Sequence, residues 1–322
     1  MKIPVLVLFG PTASGKTAVL KRLFEAGKST IPIEIISADS MQVYRGMDIG
    51  TAKPSHEERE KIPHHLIDIR NPNEQFNAGD FVRLAEEACL EVKGRGALPV
   101  ISGGTGFYIK NLVLGLGEAP PSNPEIREQL KEELHNRGAT ALMEELKKAD
   151  PVSADRIHIN DEYRLLRALE VQRLTGLPLS SYSSPWSSTK EAAASPFSFT
   201  LLGLKRSREE IYNRINARTD AMFKAGLPDE VERLFRDGYT PEDPGLRAIG
   251  YREFFVEEEF GSRTWRLSKD IEGVKALVAQ NSRRYAKRQL TFFKSIAEVN
   301  WIDCEDEEEA VEALVKLLAL KV

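Results

Sequence analysis

Eight consecutive residues near the amino terminus, Gly10, Pro11, Thr12, Ala13, Ser14, Gly15, Lys16 and Thr17, have the types and spacing that hold phosphate. The pattern is G-x-x-x-x-G-K-[ST], the P-loop, and its context fits: it follows the apolar run Ile3–Phe9 and opens a helical pattern over 16–26. Glycine lets main-chain N–H groups turn toward phosphate oxygens, and the helix start adds partial positive charge. Lys16 supplies a mobile cation, and the Thr17 hydroxyl can ligate Mg²⁺. Asp39 follows the apolar run Ile33–Ser37, and Thr105 follows 98–102 in Ser102-Gly103-Gly104-Thr105. Residues just past the carboxyl ends of strands line the ligand crevice of an open α/β sheet, so the three segments should converge. A lone aspartate after a strand is more often a turn or cap residue, but convergence with a phosphate loop favours a site. No carboxylate ends the 98–102 run, where phosphoryl-transferring P-loop proteins usually keep one for Mg²⁺.

The elements needed to position these groups are legible in the pattern. Over the first 115 residues, short apolar runs at Ile3–Phe9, Ile33–Ser37 and 98–102 alternate with helical patterns at 16–26 and 79–93. Such runs are buried on both faces, which predicts βαβ units and a mostly parallel sheet. From about 117 the texture turns helical, at 124–137, 140–148 and 161–175, with Pro124 near a helix start and Gly138 and Gly176 at helix ends. The segment 180–196 is rich in Ser, Ala and Pro, contains Trp186, and is expected to be a mobile loop. An apolar strand pattern returns at 197–204, followed by helices at 208–225, 229–236 and 268–293, a short strand at 299–302 and a helix at 308–320. The expected fold class is α/β, a P-loop parallel-sheet core (1–116 and 197–322) with an all-helical insertion at 117–196 and a helical C-terminal region.

Composition narrows the setting. The 322 residues are 41% hydrophobic and 29% charged, ordinary for a globular chain that can bury a sizeable core. Two cysteines, Cys89 and Cys304, are too few for a disulfide framework and favour a reducing compartment. No apolar stretch reaches the length of a membrane span, so the expectation is a soluble cytoplasmic protein with no membrane partner. The net charge of −4 argues against a nucleic-acid partner until its distribution is considered. Residues 273–297 hold six basic side chains and no acidic one, whereas 303–312 hold seven acidic ones and no basic one. Arg283, Arg284, Lys287 and Arg288 fall on one helical face and could grip phosphates. The acidic stretch is expected to be a solvated helix start favoured by the dipole. His64 and His65 lack metal-ligand partners and read as structural or supporting groups, and Cys89 as helix core.

Seven segments together resemble one family, the tRNA dimethylallyltransferases (tRNA isopentenyltransferases) of bacterial type. They are GPTASGKT at 10–17, ISADSMQVYRGMDIGTAKP at 36–54, HHLIDI at 64–69, GGTGFYIKNL at 103–112, RLLRALEV at 164–171, IGYRE at 249–253 and RRYAKRQLTFF at 283–293. The resemblance implies transfer of a dimethylallyl group from dimethylallyl diphosphate to N6 of the adenine 3′ of the anticodon, position 37, in tRNAs reading U-starting codons. The P-loop would then hold the donor's diphosphate rather than ATP, with Mg²⁺ as cofactor. By the same resemblance Asp39 takes the N6 proton, Thr105 contacts the diphosphate near its breaking bond, and Arg127 helps to bind the leaving group and tRNA. Ser40, Met41 and Gln42 continue the tRNA-contacting stretch with Asp39, as do Tyr163, Arg164, Leu165, Leu166 and Arg167. An anticodon loop is a sensible target because a base must leave the stack to be modified. The helical insertion would clamp the stem-loop, and no obligate protein partner is evident, so a monomer is expected.

Two departures stand out. Arg247 occupies a position where the resemblance leads one to expect glutamine, and no C-x₂-C…H-x₃₋₅-H pattern follows, unlike the zinc finger of eukaryotic relatives. Two other readings remain open on the residues alone. One is a P-loop small-molecule kinase that uses ATP, which leaves the Asp39 segment and the basic helix unexplained. The other is a non-catalytic RNA-binding protein that keeps the P-loop as structure. Consumption of ATP or retention of RNA without group transfer would single out the one or the other.

Overall fold

The first strand, Ile3–Phe9 (β1), is apolar throughout because the sheet buries both of its faces: Val5, Val7 and Phe9 enter one core, Leu6 and Leu8 the other. The computed structural model describes residues 2–25, 32–182, 195–259 and 261–319. The chain divides into two compact units, Met1–Val113 with Ser195–Val322, and Leu114–Ala194. Of the loop expected at 180–196, residues 183–194 with Trp186 lie outside the described residues.

In the larger unit, β1 leads into Lys16–Glu25 (α1), then Ile33–Ser37 (β2), His56–Lys61 (α2), His64–His65 (β3), Ala78–Gly94 (α3), Leu98–Gly103 (β4) and Gly106–Leu114 (α4). The smaller unit holds Pro124–Ala149 (α5), Pro151–Arg156 (α6) and Glu162–Thr175 (α7). The chain returns as Phe197–Lys205 (β5), Arg208–Lys224 (α8) and Leu227–Arg236 (α9). A small antiparallel pair follows, Phe255–Glu257 (β6) and Trp265–Leu267 (β7), and then Ile271–Phe293 (α10), Asn300–Asp303 (β8) and Glu307–Ala319 (α11). Six strands form one all-parallel sheet in the order β3-β2-β4-β1-β5-β8. The parallel α/β expectation holds. The crevice opens where β1 lies between β4 and β5, at the carboxyl ends of the three strands.

On one face of the sheet, α1 and α11 cover Leu6, Leu8, Val100 and Leu202 with Leu23, Val311 and Leu314. On the other, α3 and α4 bury Phe81, Cys89, Tyr108 and Ile109 against Val7, Ile36 and Ile101. Burial pushes the Cys89 thiol up to about 12, so it is inert core. The strand ends sit close together for a local reason: a Cβ on Gly103 would lie 2.1 Å from the Ala38 carbonyl, so only glycine lets β4 finish against β2.

In the smaller unit Asn123 caps α5, and Gly138 breaks that helix with φ 78° and ψ 161°. Gly176 ends α7 in the left-handed conformation that glycine tolerates. Leu165 and Leu166, expected to contact tRNA, are 0% and 4% exposed and pack with Leu130, Leu142, Leu146 and Leu169. That expectation is corrected: the helical period turns these two positions inward while Tyr163 and Arg164 face solvent.

Candidate active site

The P-loop is shaped by two residues with positive φ, Ala13 at 64° and Gly15 at 100°. Cationic side chains hold its carbonyls: Lys16 Nζ donates to the Gly10 and Pro11 carbonyls at 3.0 and 2.9 Å, Arg214 Nε to Ala13 at 3.0 Å, and Arg206 Nε to Ser14 at 3.0 Å. With its carbonyls secured in this way, and the Thr12 and Ser14 amides bonded to Gln289 and Pro11, the loop can turn the amides at the mouth of α1 to an anion. Burial, with the charge of Arg218, pushes Lys16 down to about 8, against the opposing pull of Asp39. The Ser14 hydroxyl is buried and has no hydrogen-bond partner among the described residues.

A cavity of about 600 Å³ opens over this loop. Lys16, Thr17, Asp39, Gly104, Arg218 and Tyr285 are among its lining residues, so the phosphate loop, the end of β2 and the end of β4 do converge. A second cavity of about 300 Å³, lined by Ser40, Met41, Arg247 and Arg288 among others, shares Thr12, Asp39, Thr51, Arg218 and Tyr285 with the first. Asp39 thus faces two spaces, one above the phosphate loop and one beside it.

Asp39 is set by its own turn: Oδ1 accepts the Met41 amide at 2.9 Å and the Gln42 amide at 3.4 Å, leaving Oδ2 without a partner among the described residues. Thr105 Oγ1 accepts the Ser40 amide at 3.0 Å, while the Thr105 amide donates to the Ala38 carbonyl at 3.1 Å. The segments carrying Asp39 and Thr105 are therefore pinned to each other. Gln42 is turned inward: its carbonyl accepts the Ser37 hydroxyl at 2.9 Å and its amide donates to Thr51 and Ala52 carbonyls at 3.3 Å.

The basic helix α10 presents two faces. Arg284, Lys287 and Arg288 are exposed, whereas Arg283 is half-buried and donates to Asn216 at 2.5 Å. On the inner face, Gln289 is 5% exposed and touches both the P-loop and the Gly104 turn. The Tyr285 hydroxyl has the side chains of Thr105 and Gln289 as hydrogen-bonding neighbours, and burial with the charge of Asp39 pushes it up to about 12. It is a donor at any physiological pH.

Within the smaller unit, Arg127 and Arg167 converge on the fully buried Glu170, at 3.3 and 3.1 Å. Glu170 also accepts the Ser122 hydroxyl and the Asn123 amide, so this cluster fixes the start of α5 on α7. Arg127 stacks on the Tyr163 ring at 4.8 Å, and Arg167 is tied to the Pro120 carbonyl. Tyr163 is 72% exposed.

Several residues of the site carry no local signal in the sequence. Arg214 and Arg218, at i and i+4 on α8, line the cavity, and only their spacing on the helix after β5 could have drawn notice. Glu307 corrects the reading of the acidic stretch as solvated, since its carboxylate takes Arg206, Arg22 and Arg214 at 3.2, 3.2 and 3.5 Å. Two of these, Arg206 and Arg214, brace the P-loop through the Ser14 and Ala13 carbonyls. His65 is structural as expected, pairing with Glu34 at 2.7 Å. His64 donates to the Ile62 carbonyl at 2.6 Å and is pushed down by burial.

As to Mg²⁺, no group of three or more metal-ligating His, Cys, Asp or Glu side chains occurs among the described residues. The cavity offers the Thr17 hydroxyl at the mouth of α1, with the Asp39 and Glu58 carboxylates also in its lining. That suits an ion which keeps most of its shell as water and substrate phosphate oxygens.

Comparison with known proteins places this geometry in a family context. The family model described as IPP transferase matches residues 42–296. A tRNA dimethylallyltransferase of Syntrophotalea carbinolica is 45% identical over 314 residues, covering 97% of this chain and 95% of that protein. The solved tRNA isopentenylpyrophosphate transferase of Bacillus halodurans is 36% identical with a TM-score of 0.66, covering 99% of this chain and 96% of that one. A eukaryotic dimethylallyltransferase solved acting on tRNA is 25% identical with a TM-score of 0.75, covering 99% of this chain and 80% of that one.

Proposed function

This chain belongs to the IPP transferase family, and from that premise we propose that it transfers a dimethylallyl group from dimethylallyl diphosphate to N6 of adenine 37 in tRNAs reading U-starting codons. The observation that carries the reading is the position of Asp39, shared by a cavity over a phosphate loop and a second cavity beside it. The donor occupies the first with its diphosphate on the P-loop amides, Lys16 and Arg218. The everted adenine enters the second, which costs less from a loop than from a duplex. N6 then attacks C1 of the prenyl group, the C1–O bond breaks onto the diphosphate, and the N6 proton passes to Asp39 Oδ2. An exocyclic amine is a weak nucleophile, and a carboxylate in reach offsets the charge that builds on nitrogen.

Diphosphate is the leaving group, so stabilising its growing charge is the main task of the site. Thr105, pinned to Ser40, follows the cavity-lining Gly103 and Gly104, and its contact with the diphosphate near the breaking bond rests on the family resemblance. Thr17 would hold Mg²⁺, which would supply charge neutralisation at the diphosphate. A contribution from Arg127 rests on the family resemblance, since in its own unit that guanidinium serves Glu170. The exposed Arg284, Lys287 and Arg288 meet tRNA phosphates, and Tyr163 and Arg164 offer a second contact surface on the insertion. No helix among the described residues is long and apolar enough to cross a membrane. A cytoplasmic monomer fits a tRNA-modifying role. Phosphoryl transfer is not favoured, since the relatives are prenyl-transferring enzymes and β4 ends in Ser102-Gly103 with no carboxylate.

Labelled dimethylallyl diphosphate, Mg²⁺ and unmodified tRNA test the proposal directly. Label should pass to tRNA carrying A37, and not to a transcript with another base at that position. Turnover of ATP in place of label transfer would overturn it.

A further inference from the structure

Gln289 makes two hydrogen bonds of opposite sense across the site. Its Oε1 accepts the Thr12 amide at 2.9 Å, and its Nε2 donates to the Gly104 carbonyl at 2.7 Å. The first partner belongs to the phosphate loop, the second to the turn that delivers Thr105 and, through Ser40, borders Asp39. A primary amide is the side chain that accepts at one atom and donates at the adjacent one, so a single residue spans the gap. The fit leaves no slack, since a Cβ on Gly104 would lie 2.6 Å from Nε2. The Gln289 side chain is buried, so a residue that cannot make both bonds leaves the Thr12 amide to the cavity and the Gly104 carbonyl with the Gly106 amide at 3.1 Å, and the direct link between the two segments is lost. One turn earlier on the same helix, the Tyr285 hydroxyl neighbours both Gln289 and Thr105, which extends the connection to all three strand ends.

We propose that Gln289 is a positioning residue of the transfer reaction: its amide fixes the separation between the loop that holds the donor's diphosphate and the segments that carry Thr105 and Asp39. This rests on the donor and base assignments above and adds a residue that touches neither substrate. In-line displacement needs C1, N6 and the leaving oxygen aligned, and a displacement of about 1 Å in such a site costs about 100-fold in rate. The exposed face of α10 carries Arg284, Lys287 and Arg288, so contact with tRNA and clamping of the site are separable on one helix.

The test uses the full chain with Gln289→Met, which keeps volume and removes both bonds, and Gln289→Glu, which keeps the acceptor for Thr12 and loses the donor to Gly104. Single-turnover label transfer, donor KM, tRNA affinity and thermal unfolding are measured for each. Expected are a rate lowered about 100-fold in Gln289→Met, a smaller loss in Gln289→Glu, and tRNA affinity within threefold of the parent. The Gln289→Glu rate should recover relative to the parent as pH falls, because a protonated carboxyl regains the donor. If both variants transfer label at the parent rate, or if the rate loss only follows a loss of folded protein with no recovery at low pH, the positioning role is wrong. Should the parent itself fail to move label to tRNA, it is the transfer reading that fails instead.

Discussion

The Tyr251 hydroxyl donates to Glu230 Oε1 at 2.6 Å, and the same buried carboxylate collects the amides of Asp48, Ile49 and Gly50 at 2.9–3.2 Å. One side chain of α9 thereby sets the loop that follows Met47, with Tyr251 packed so close that a Cβ on Gly50 would lie 2.4 Å from its ring. Burial, with Glu230 beside it, pushes the Tyr251 hydroxyl far up, so it remains a donor. The next residue of that loop, Thr51, borders both cavities. Glu230→Ala should therefore cost about 3 kcal/mol, since the buried Tyr251 hydroxyl and three partly buried amides lose their acceptor together. Denaturant unfolding checks this, and a loss under about 1 kcal/mol would show that water replaces the carboxylate.

Asp39→Asn keeps the Oδ1 acceptor that the Met41 amide uses, so the turn survives while the base is removed. Label transfer should fall by at least about 100-fold, within the range that general bases contribute, with tRNA affinity within a few-fold of the parent. Near-parent turnover in a single-turnover assay would exclude Asp39 as the proton acceptor.

Lys16 supplies a pH dependence of donor binding. Its ammonium is held down to about 8 in the free protein, and an adjacent diphosphate must raise that value, so binding takes up a proton when pH exceeds it. Donor affinity should be level with respect to this group below pH 8 and fall above it, approaching tenfold per pH unit. Lys16→Arg, whose charge persists, should bind more weakly at pH 7 but lose that decline. Titration calorimetry in buffers of different ionisation enthalpy reads the proton uptake, and its absence at pH 8.5 would contradict the assignment.

Arg284 is exposed on α10, and its removal should act on tRNA alone. Arg284→Ala should lower tRNA affinity and reduce the slope of log K against log salt by about one. Donor binding should not change. An unaltered salt slope would remove this face from the tRNA interface.

Much of the site was readable from neighbours in the chain. The P-loop, the strand before it, Asp39 and Thr105 announce themselves because glycine spacing and apolar runs are local properties, and a parallel sheet sends every strand end to the same edge. The insertion was visible for the same reason, as helical periodicity interrupted by Gly138 and Gly176. Leu165 and Leu166 were misplaced because a matching stretch was read as a block, whereas a helix sends successive side chains to different faces.

The amino-acid order by itself determined that a glycine-rich loop would join a strand to a helix at Gly10 to Thr17, that an acid would stand near it, and that a basic helix would lie late in the chain. The tertiary structure alone decided which side chains brace that arrangement. Gln289 meets Thr12 across 277 positions, Arg206 meets Ser14 across 192, and Glu230 meets Ile49 across 181. Partners so distant leave no periodicity or spacing to read, because their contact exists only once the sheet has brought the strand ends together and excluded the water that each polar group would otherwise bind.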